Sequence, residues 1–350
     1  MKKITDLPRI VIVGGGAGGF ELAAKLGKKL GARQKASIIL VDSSPTHLWK
    51  PLLHEVAAGT LNSYEDELNY MAHASDRGFQ FCLGSLKKLN RAKKEIVLDL
   101  VLSDQPDETI PQRVLPYDVL IISVGSVAND FNIPGVKEQC LFLDNRKQAD
   151  YLHQHLLNKL LYLSCQKISE QTPFNIAVVG GGATGIELIA ELHYSIRLMA
   201  NYGLNILPNS VSFTLIEAGD KLLPALPPRL SKLILDELER LEVKIYTSER
   251  VNKVTEDGLF TQKGTFIPAS LKVWAAGIKA PDVLKNLDGL AVNKINQLLV
   301  QQTLQTTEDA AIFALGDCAS CPQPGERTVP PRAQAAHQQA NFCTSSGYFL

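Results

Sequence analysis

Apolar residues in this chain gather in short unbroken runs that stop at glycine, after which apolar positions return at helical spacing. The pattern is written twice. Ile10–Val13 runs into Gly14-Gly15-Gly16-Ala17-Gly18-Gly19 and then into a periodic stretch over Phe20–Leu30. Ile176–Val179 runs into Gly180-Gly181-Gly182-Ala183-Thr184-Gly185 and then into Ile186–Met199. A four-residue apolar run bounded by glycine predicts a strand buried on both faces, and the spacing that follows predicts a helix. Each helix leads to another apolar strand, Ser37–Val41 ending on Asp42 and Val211–Ile216 ending on Glu217.

The rest of the pattern fills two units around these copies. Phe79–Leu83 reads as a strand, and Glu95–Leu102 with Val114–Leu115 as a hairpin around a polar Ser103–Thr109 loop. Val119–Val124 is a buried strand stopped by Gly125; Arg146–Leu163 predicts a helix and Lys167–Pro173 a polar link. After the second copy come an extra loop at Asn201–Ser210, an amphipathic helix at Arg229–Leu241 and a buried strand at Lys272–Ala276. Ala310–Leu315 is a last strand, ending at Gly316-Asp317. Repeated strand–turn–helix order with apolar strands predicts an α/β chain with a parallel sheet in each of two domains. The expected boundaries are 1–125 with 290–350 for a discontinuous first domain, 170–285 for a second domain inserted in it, and 126–169 for a connector.

The glycines carry the first chemistry. In G-x-G-x-x-G the missing side chains let a pyrophosphate approach the backbone, and the helix N-terminus presents free N–H groups and a positive dipole end. Asp42 lies 28 positions after Gly14, and Glu217 lies 37 after Gly180. These are the strand-end positions at which a carboxylate binds an adenosine ribose, and an acid there favours NADH over NADPH. Two such loops, each between a strand and a helix, predict two Rossmann-like dinucleotide-binding domains.

Composition removes other classes. Lysine plus arginine equals aspartate plus glutamate at 36 each, so no nucleic-acid-binding face is expected. No apolar stretch approaches the ~18 residues of a membrane span, and Met1-Lys-Lys-Ile leads straight into the glycine loop without a signal-peptide apolar region. Six scattered cysteines point to a reducing, cytoplasmic compartment. Cys318-Ala-Ser-Cys321 has no second pair or histidine cluster beside it, so it reads as two thiols in a turn and no metal site is expected. Glu187, two residues after Gly185, is expected in the first turn of its helix. There it would complement the helix dipole, as Glu21 would in the first copy, or serve the reaction.

Further residues carry a family likeness. These are Thr46-His-Leu-Trp-Lys-Pro-Leu-Leu-His-Glu-Val-Ala-Ala-Gly59, Leu120-Ile-Ile-Ser-Val-Gly-Ser126, Val273-Trp-Ala-Ala-Gly-Ile278, Phe313-Ala-Leu-Gly-Asp-Cys-Ala319 and Pro330–Gln339. With the two loops they make the chain resemble the type II NADH dehydrogenases, single-subunit NADH:quinone oxidoreductases that pump no protons. The resemblance runs from about Arg9 to Gln339 and includes the family's A-Q-x-A-x-Q-Q signature at Ala333–Gln339.

The resemblance implies a two-dinucleotide-fold flavoprotein with the NADH domain inserted in the FAD domain. Gly14, Gly16, Gly19 and Asp42 would hold FAD, Lys50 would lie along the flavin, and Asp317 would bind the ribityl–phosphate region. Gly180, Gly182, Gly185 and Glu217 would hold NADH. Ala333 through Gln339 would lie under the flavin, with Gln334 and Gln338 touching the quinone and Glu187 near the junction of the three. It further implies a homodimer on the inner face of the cell membrane. Family members continue past the glutamine signature into amphipathic membrane-attaching helices, whereas Asn341–Leu350 does not resemble that continuation and reads as a truncation or frame change. Two other readings keep the fold: a soluble NADH-dependent reductase of ferredoxin, rubredoxin or a small oxidant, and a nucleotide-binding fragment without turnover.

Overall fold

The structure, a computed structural model, describes residues 7–102, 109–166, 174–205, 210–325 and 327–346. The expected polar link at 167–173, most of the 103–109 loop, the centre of the 201–210 loop and the last four residues lie outside these. Backbone packing divides the chain into two units. Met1–Trp49, Glu67–Val127 and Lys279–Leu350 form the first; Lys50–Asp66 and Ala128–Ile278 form the second.

The first unit is built on a five-stranded parallel sheet in the order Ile312–Ala314, Val119–Ile122, Arg9–Val13, Ser37–Asp42 and Gln80–Leu83. Its central strands carry apolar side chains on both faces, and Val11, Ile12, Leu40, Leu120 and Ile121 are wholly buried. That is why the runs do not alternate: both faces are covered, as a parallel sheet requires. The second unit repeats the plan, in the order Leu141–Phe142, Leu271–Trp274, Phe174–Val179, Val211–Ile216 and Lys244–Tyr246, again all parallel. In each sheet the glycine-loop strand is central and the strand ending on the acid is its neighbour.

The duplication goes further than the loops. Each unit adds a three-stranded antiparallel sheet: Leu86–Asn90, Glu95–Leu98 and Arg113–Pro116 in the first, Val251–Val254, Gly258–Thr261 and Phe266–Pro268 in the second. Sequence patterning predicts only a hairpin in the first case and nothing in the second. The strands it misses, Leu-Lys-Lys-Leu at 86–89 and Val-Asn-Lys-Val at 251–254, bury their two ends and expose the middle pair. A bulge follows Leu86 and Val251, placing two consecutive side chains on the solvent face. The period-2 signal disappears there.

Both loop helices start three residues earlier than the apolar periodicity predicts, at Ala17 and Ala183. Gly16 and Gly182 are the caps: Phe20 N–H donates to Gly16 O at 3.0 Å and Ile186 N–H to Gly182 O at 3.2 Å. Apolar spacing cannot see these first turns, because they are written in glycine, alanine and threonine. Glu21 and Glu187 therefore fall in the second turn, and neither first turn contains an acid. The dipole account of Glu187 is corrected accordingly, since that effect fades beyond the first turn.

Candidate functional site

Within the first unit the glycine loop closes on itself. Gly14 has φ of +101°, and its N–H donates to Val41 O at 2.8 Å. A Cβ on Gly14 would collide with the Ser123 carbonyl, and one on Gly19 would overlap Gly14 O. Those two glycines are demanded by the fold itself. Gly16 is different: a Cβ there would meet no protein atom within 4 Å. Open space at the cap, beside helix N–H groups that have no partner within their own helix, is what an approaching pyrophosphate needs.

The second unit reproduces this closure. Gly180 has φ of +119°, and its N–H donates to Ile216 O at 2.8 Å. A Cβ on it would lie 2.7 Å from Ala275 O; Gly185 is pressed against Gly180 O, and Gly182 faces open space. Each loop thus has two glycines for its own closure and one free for a ligand.

The strand-end acids act on the loops directly. Asp42 Oδ2 accepts from Gly15 N–H at 2.6 Å and Oδ1 from Ser44 N–H at 2.8 Å. Glu217 Oε2 accepts from Gly181 N–H at 2.6 Å and Oε1 from Gly219 N–H at 2.6 Å. Each carboxylate therefore clamps the second glycine of its loop and keeps lone pairs for a ribose diol. Burial pushes the Asp42 carboxyl above its ordinary value, against the backbone N–H groups of Gly15, Ser44 and Ser43 that favour its charge.

Asp317 lies in the single turn Gly316–Cys318 after the edge strand Ile312–Ala314. Its Oδ2 accepts from Ser126 Oγ at 2.8 Å, and its backbone carbonyl accepts from Gln297 Nε2 at 2.9 Å. The turn is tied to the glutamine signature, because Gly316 N–H donates to Gln339 Oε1 at 2.7 Å. Gln339 is a residue that sequence reasoning names only as the end of a motif. Gln334 and Gln338, four apart on the helix Ala333–Ser345, are both exposed, while Ala336, Ala340 and Cys343 are buried. Ala336 lies against Gly18 of the loop helix: a Cβ on Gly18 would come within 3.3 Å of its methyl group. Ala333 is half-buried at the helix start.

Lys50 and Glu187 belong to the second unit. Lys50 Nζ lies 3.5 Å from Asp144 Oδ1, which also accepts from Ala128 N–H at 2.8 Å. Glu187 is exposed, with Oε2 3.8 Å from Nδ1 of the mostly buried His54; His54 Nε2 is 3.9 Å from Glu55 Oε1. Cys318 and Cys321 are buried free thiols. Burial raises both and pushes Cys318 up to about 12, so neither is a thiolate at neutral pH. Among the described residues no three histidine, cysteine or acidic side chains are grouped to hold a metal, and no helix is long and apolar enough to cross a membrane.

A family model for pyridine nucleotide-disulphide oxidoreductases matches residues 8–340. The chain is similar to a type II NADH:quinone oxidoreductase of Haemophilus influenzae, 44% identical across 98% of this chain and 81% of the relative. It is also similar to a type II NADH:quinone oxidoreductase of Staphylococcus epidermidis, 27% identical across 97% of this chain and 82% of the relative. Among solved structures, NDH2 of Plasmodium falciparum in complex with NADH shares the fold, with a TM-score of 0.83, 20% identity, and coverage of 96% of this chain and 82% of that one.

Proposed function

Since the chain belongs to the pyridine nucleotide-disulphide oxidoreductases and, within them, to the type II NADH:quinone oxidoreductases, we propose that it oxidises NADH through FAD and reduces a quinone without pumping protons. One observation carries the reading: a complete dinucleotide cradle, with closed loop, open cap and acid clamp, occurs once in each unit. Residues 1–125 and 290–350 are assigned to FAD, residues 170–285 to NADH, and 126–169 to the connection.

Gly14, Gly16, Gly19, Asp42 and Asp317 fit FAD, with Lys50 and Ala333 assigned to the flavin end. Gly180, Gly182, Gly185 and Glu217 fit NADH. When bound, FAD supplies a two-electron relay between nicotinamide and quinone. The chain supplies position and protons. The open caps at Gly16 and Gly182 receive the pyrophosphates on helix N–H groups, and the clamped carboxylates fix the riboses and so the register of each dinucleotide. Gln334 and Gln338 share one exposed helix face from which side-chain amides donate to quinone carbonyls. Glu187 exchanges a proton at its carboxylate, with His54 as its neighbour. The family also supports attachment to the cytoplasmic membrane face and a homodimer.

A flavin absorbance spectrum followed by anaerobic NADH titration tests the reading. Bleaching by about one equivalent of NADH, then faster recovery with a quinone analogue than with ferredoxin or rubredoxin, is expected. Protein that binds no flavin, or reduced protein that does not pass electrons to quinone, would overturn it.

A further inference from the structure

The two cradles differ in how their loop carbonyls are held: Gly14 O accepts from Ser123 Oγ at 2.7 Å, where the second loop has Ala275 beside Gly180, and the second glycine's carbonyl differs as well. In both, the acid clamp takes the N–H of the second glycine. The carbonyl of Gly181 then accepts a backbone N–H, that of Leu223, at 2.9 Å. The carbonyl of Gly15 instead accepts the phenol hydroxyl of Tyr70 at 2.6 Å. We propose that Tyr70 is a positioning residue for FAD, its hydroxyl locking the Gly15–Gly16 peptide so that the first loop keeps the shape that receives the pyrophosphate. The proposal rests on the assignment of the first loop to FAD.

The chain builds Tyr70 into place with some redundancy. It opens the helix Tyr70–Arg77, whose cap Asn69 accepts from Met71 N–H at 2.9 Å and from Ala72 N–H at 3.2 Å. A two-residue antiparallel ladder, Thr46 to Asn69 and His47 to Leu68, fixes the strand before it. The ring is only 2% exposed, stacked on Phe81 at 5.1 Å and 20° and met edge-on by Phe20 at 5.6 Å.

The hydroxyl hydrogen is committed to Gly15 O, so the neighbouring His47 Nδ1, 3.3 Å away, completes the chain only as a donor. Burial favours this arrangement at both ends: it holds His47 below its usual imidazole value and raises the Tyr70 phenol far above its ordinary one. A neutral imidazole donates to a protonated phenol, which donates to the loop. A Cβ on Gly15 would collide with the hydroxyl, so loop and phenol are in direct contact.

Both backbone polar groups of Gly15 are thus held by side chains from separate elements, its N–H by Asp42 and its carbonyl by Tyr70. The two bonds belong to successive peptide groups, and the carbonyl of the first, Gly14 O, also accepts from Ser123 Oγ at 2.7 Å, so turning either peptide breaks a side-chain hydrogen bond. The second loop is held by one side chain and its own crossover backbone. This asymmetry suits one dinucleotide that stays through turnover and one that leaves each cycle.

The test compares Tyr70→Phe with Phe81→Leu, which disturbs the same ring packing and leaves the hydroxyl. FAD affinity is measured by reconstituting flavin-stripped full-length protein and following quenching of flavin fluorescence, beside thermal unfolding of each apo-protein. Tyr70→Phe is expected to weaken FAD binding about 10- to 100-fold, the range for a buried acceptor left without its donor. Saturating FAD should restore its kcat, with the KM for NADH unchanged. Phe81→Leu should lower the unfolding temperature and leave FAD affinity within about threefold, below one hydrogen bond's usual share. Equal FAD affinity in Tyr70→Phe and wild type, or loss of FAD from both variants in step with their unfolding temperatures, would overturn the proposal. Wild-type protein that takes up no FAD would overturn the assignment of the first loop and the proposal with it.

Discussion

Adding a side chain at Gly16 or Gly182 meets no protein atom, and the backbone there (φ −64° and −82°) suits any residue. Gly16→Val should therefore fold with an unfolding temperature close to wild type in the absence of flavin, yet lose FAD. Gly182→Val should keep FAD and raise the KM for NADH. Gly14→Ala should instead destabilise the protein by at least about 1–3 kcal/mol, because a left-handed φ and a collision with Ser123 O act together. Denaturant titration of the apo-proteins separates the two outcomes. His47 adds a pH dependence of defined sign. Its folded-state value lies below 6.5, so as pH falls below 6.5 the unfolded chain takes up a proton that the folded chain refuses. Stability should fall over that window, and His47→Gln should remove part of the slope. His193, also lowered by burial and by the Arg197 charge, keeps the rest. Asp42 acts oppositely at lower pH, since its raised carboxyl binds its proton first in the folded state.

The helix Ala333–Ser345 divides its labour by face, which gives the glutamine signature two roles. Gln339→Leu removes the acceptor of Gly316 N–H and should destabilise the protein by about 1 kcal/mol while disturbing the Asp317 turn. Gln338→Leu, on the exposed face, should leave stability unchanged and raise the KM for quinone. Steady-state kinetics beside thermal unfolding distinguish them. What the sequence made legible follows the same logic of faces. The central strands were readable because burial on both sides writes an unbroken apolar run, and the acids because they end those strands. The bulged strands at 86–90 and 251–254 were not, since two adjacent exposed lysines, or an asparagine and a lysine, erase the alternation. The helix starts were hidden by small residues, and that displaced Glu21 and Glu187 by one turn. Gln339 and Tyr70 were missed for another reason. Their roles depend on hydrogen bonds to glycines 23 and 55 positions away, which no local spacing encodes.

A ligand that binds only the folded chain stabilises it by RT ln(1 + [L]/Kd), about 2.7 kcal/mol when its concentration is 100 times Kd. Each unit carries its own cradle, so FAD and NADH should each add such a term through different residues. Adding FAD to the apo-protein should raise the unfolding temperature of wild type and of Gly182→Val but not of Gly16→Val. Adding NADH should raise that of wild type and of Gly16→Val but not of Gly182→Val. A glycine-rich turn without a ligand could not give this crossed pattern. Nor could one dinucleotide site accompanied by a decorative repeat, because the second substitution would then change nothing. Differential scanning fluorimetry on three proteins with two ligands reads the whole pattern. If Gly16→Val abolished both shifts, the two cradles would be one cooperative site and the duplication would not correspond to two ligands. The independence of the closures argues against that outcome, since Gly14 and Gly19 bear on Ser123 and Gly14, and Gly180 and Gly185 on Ala275 and Gly180.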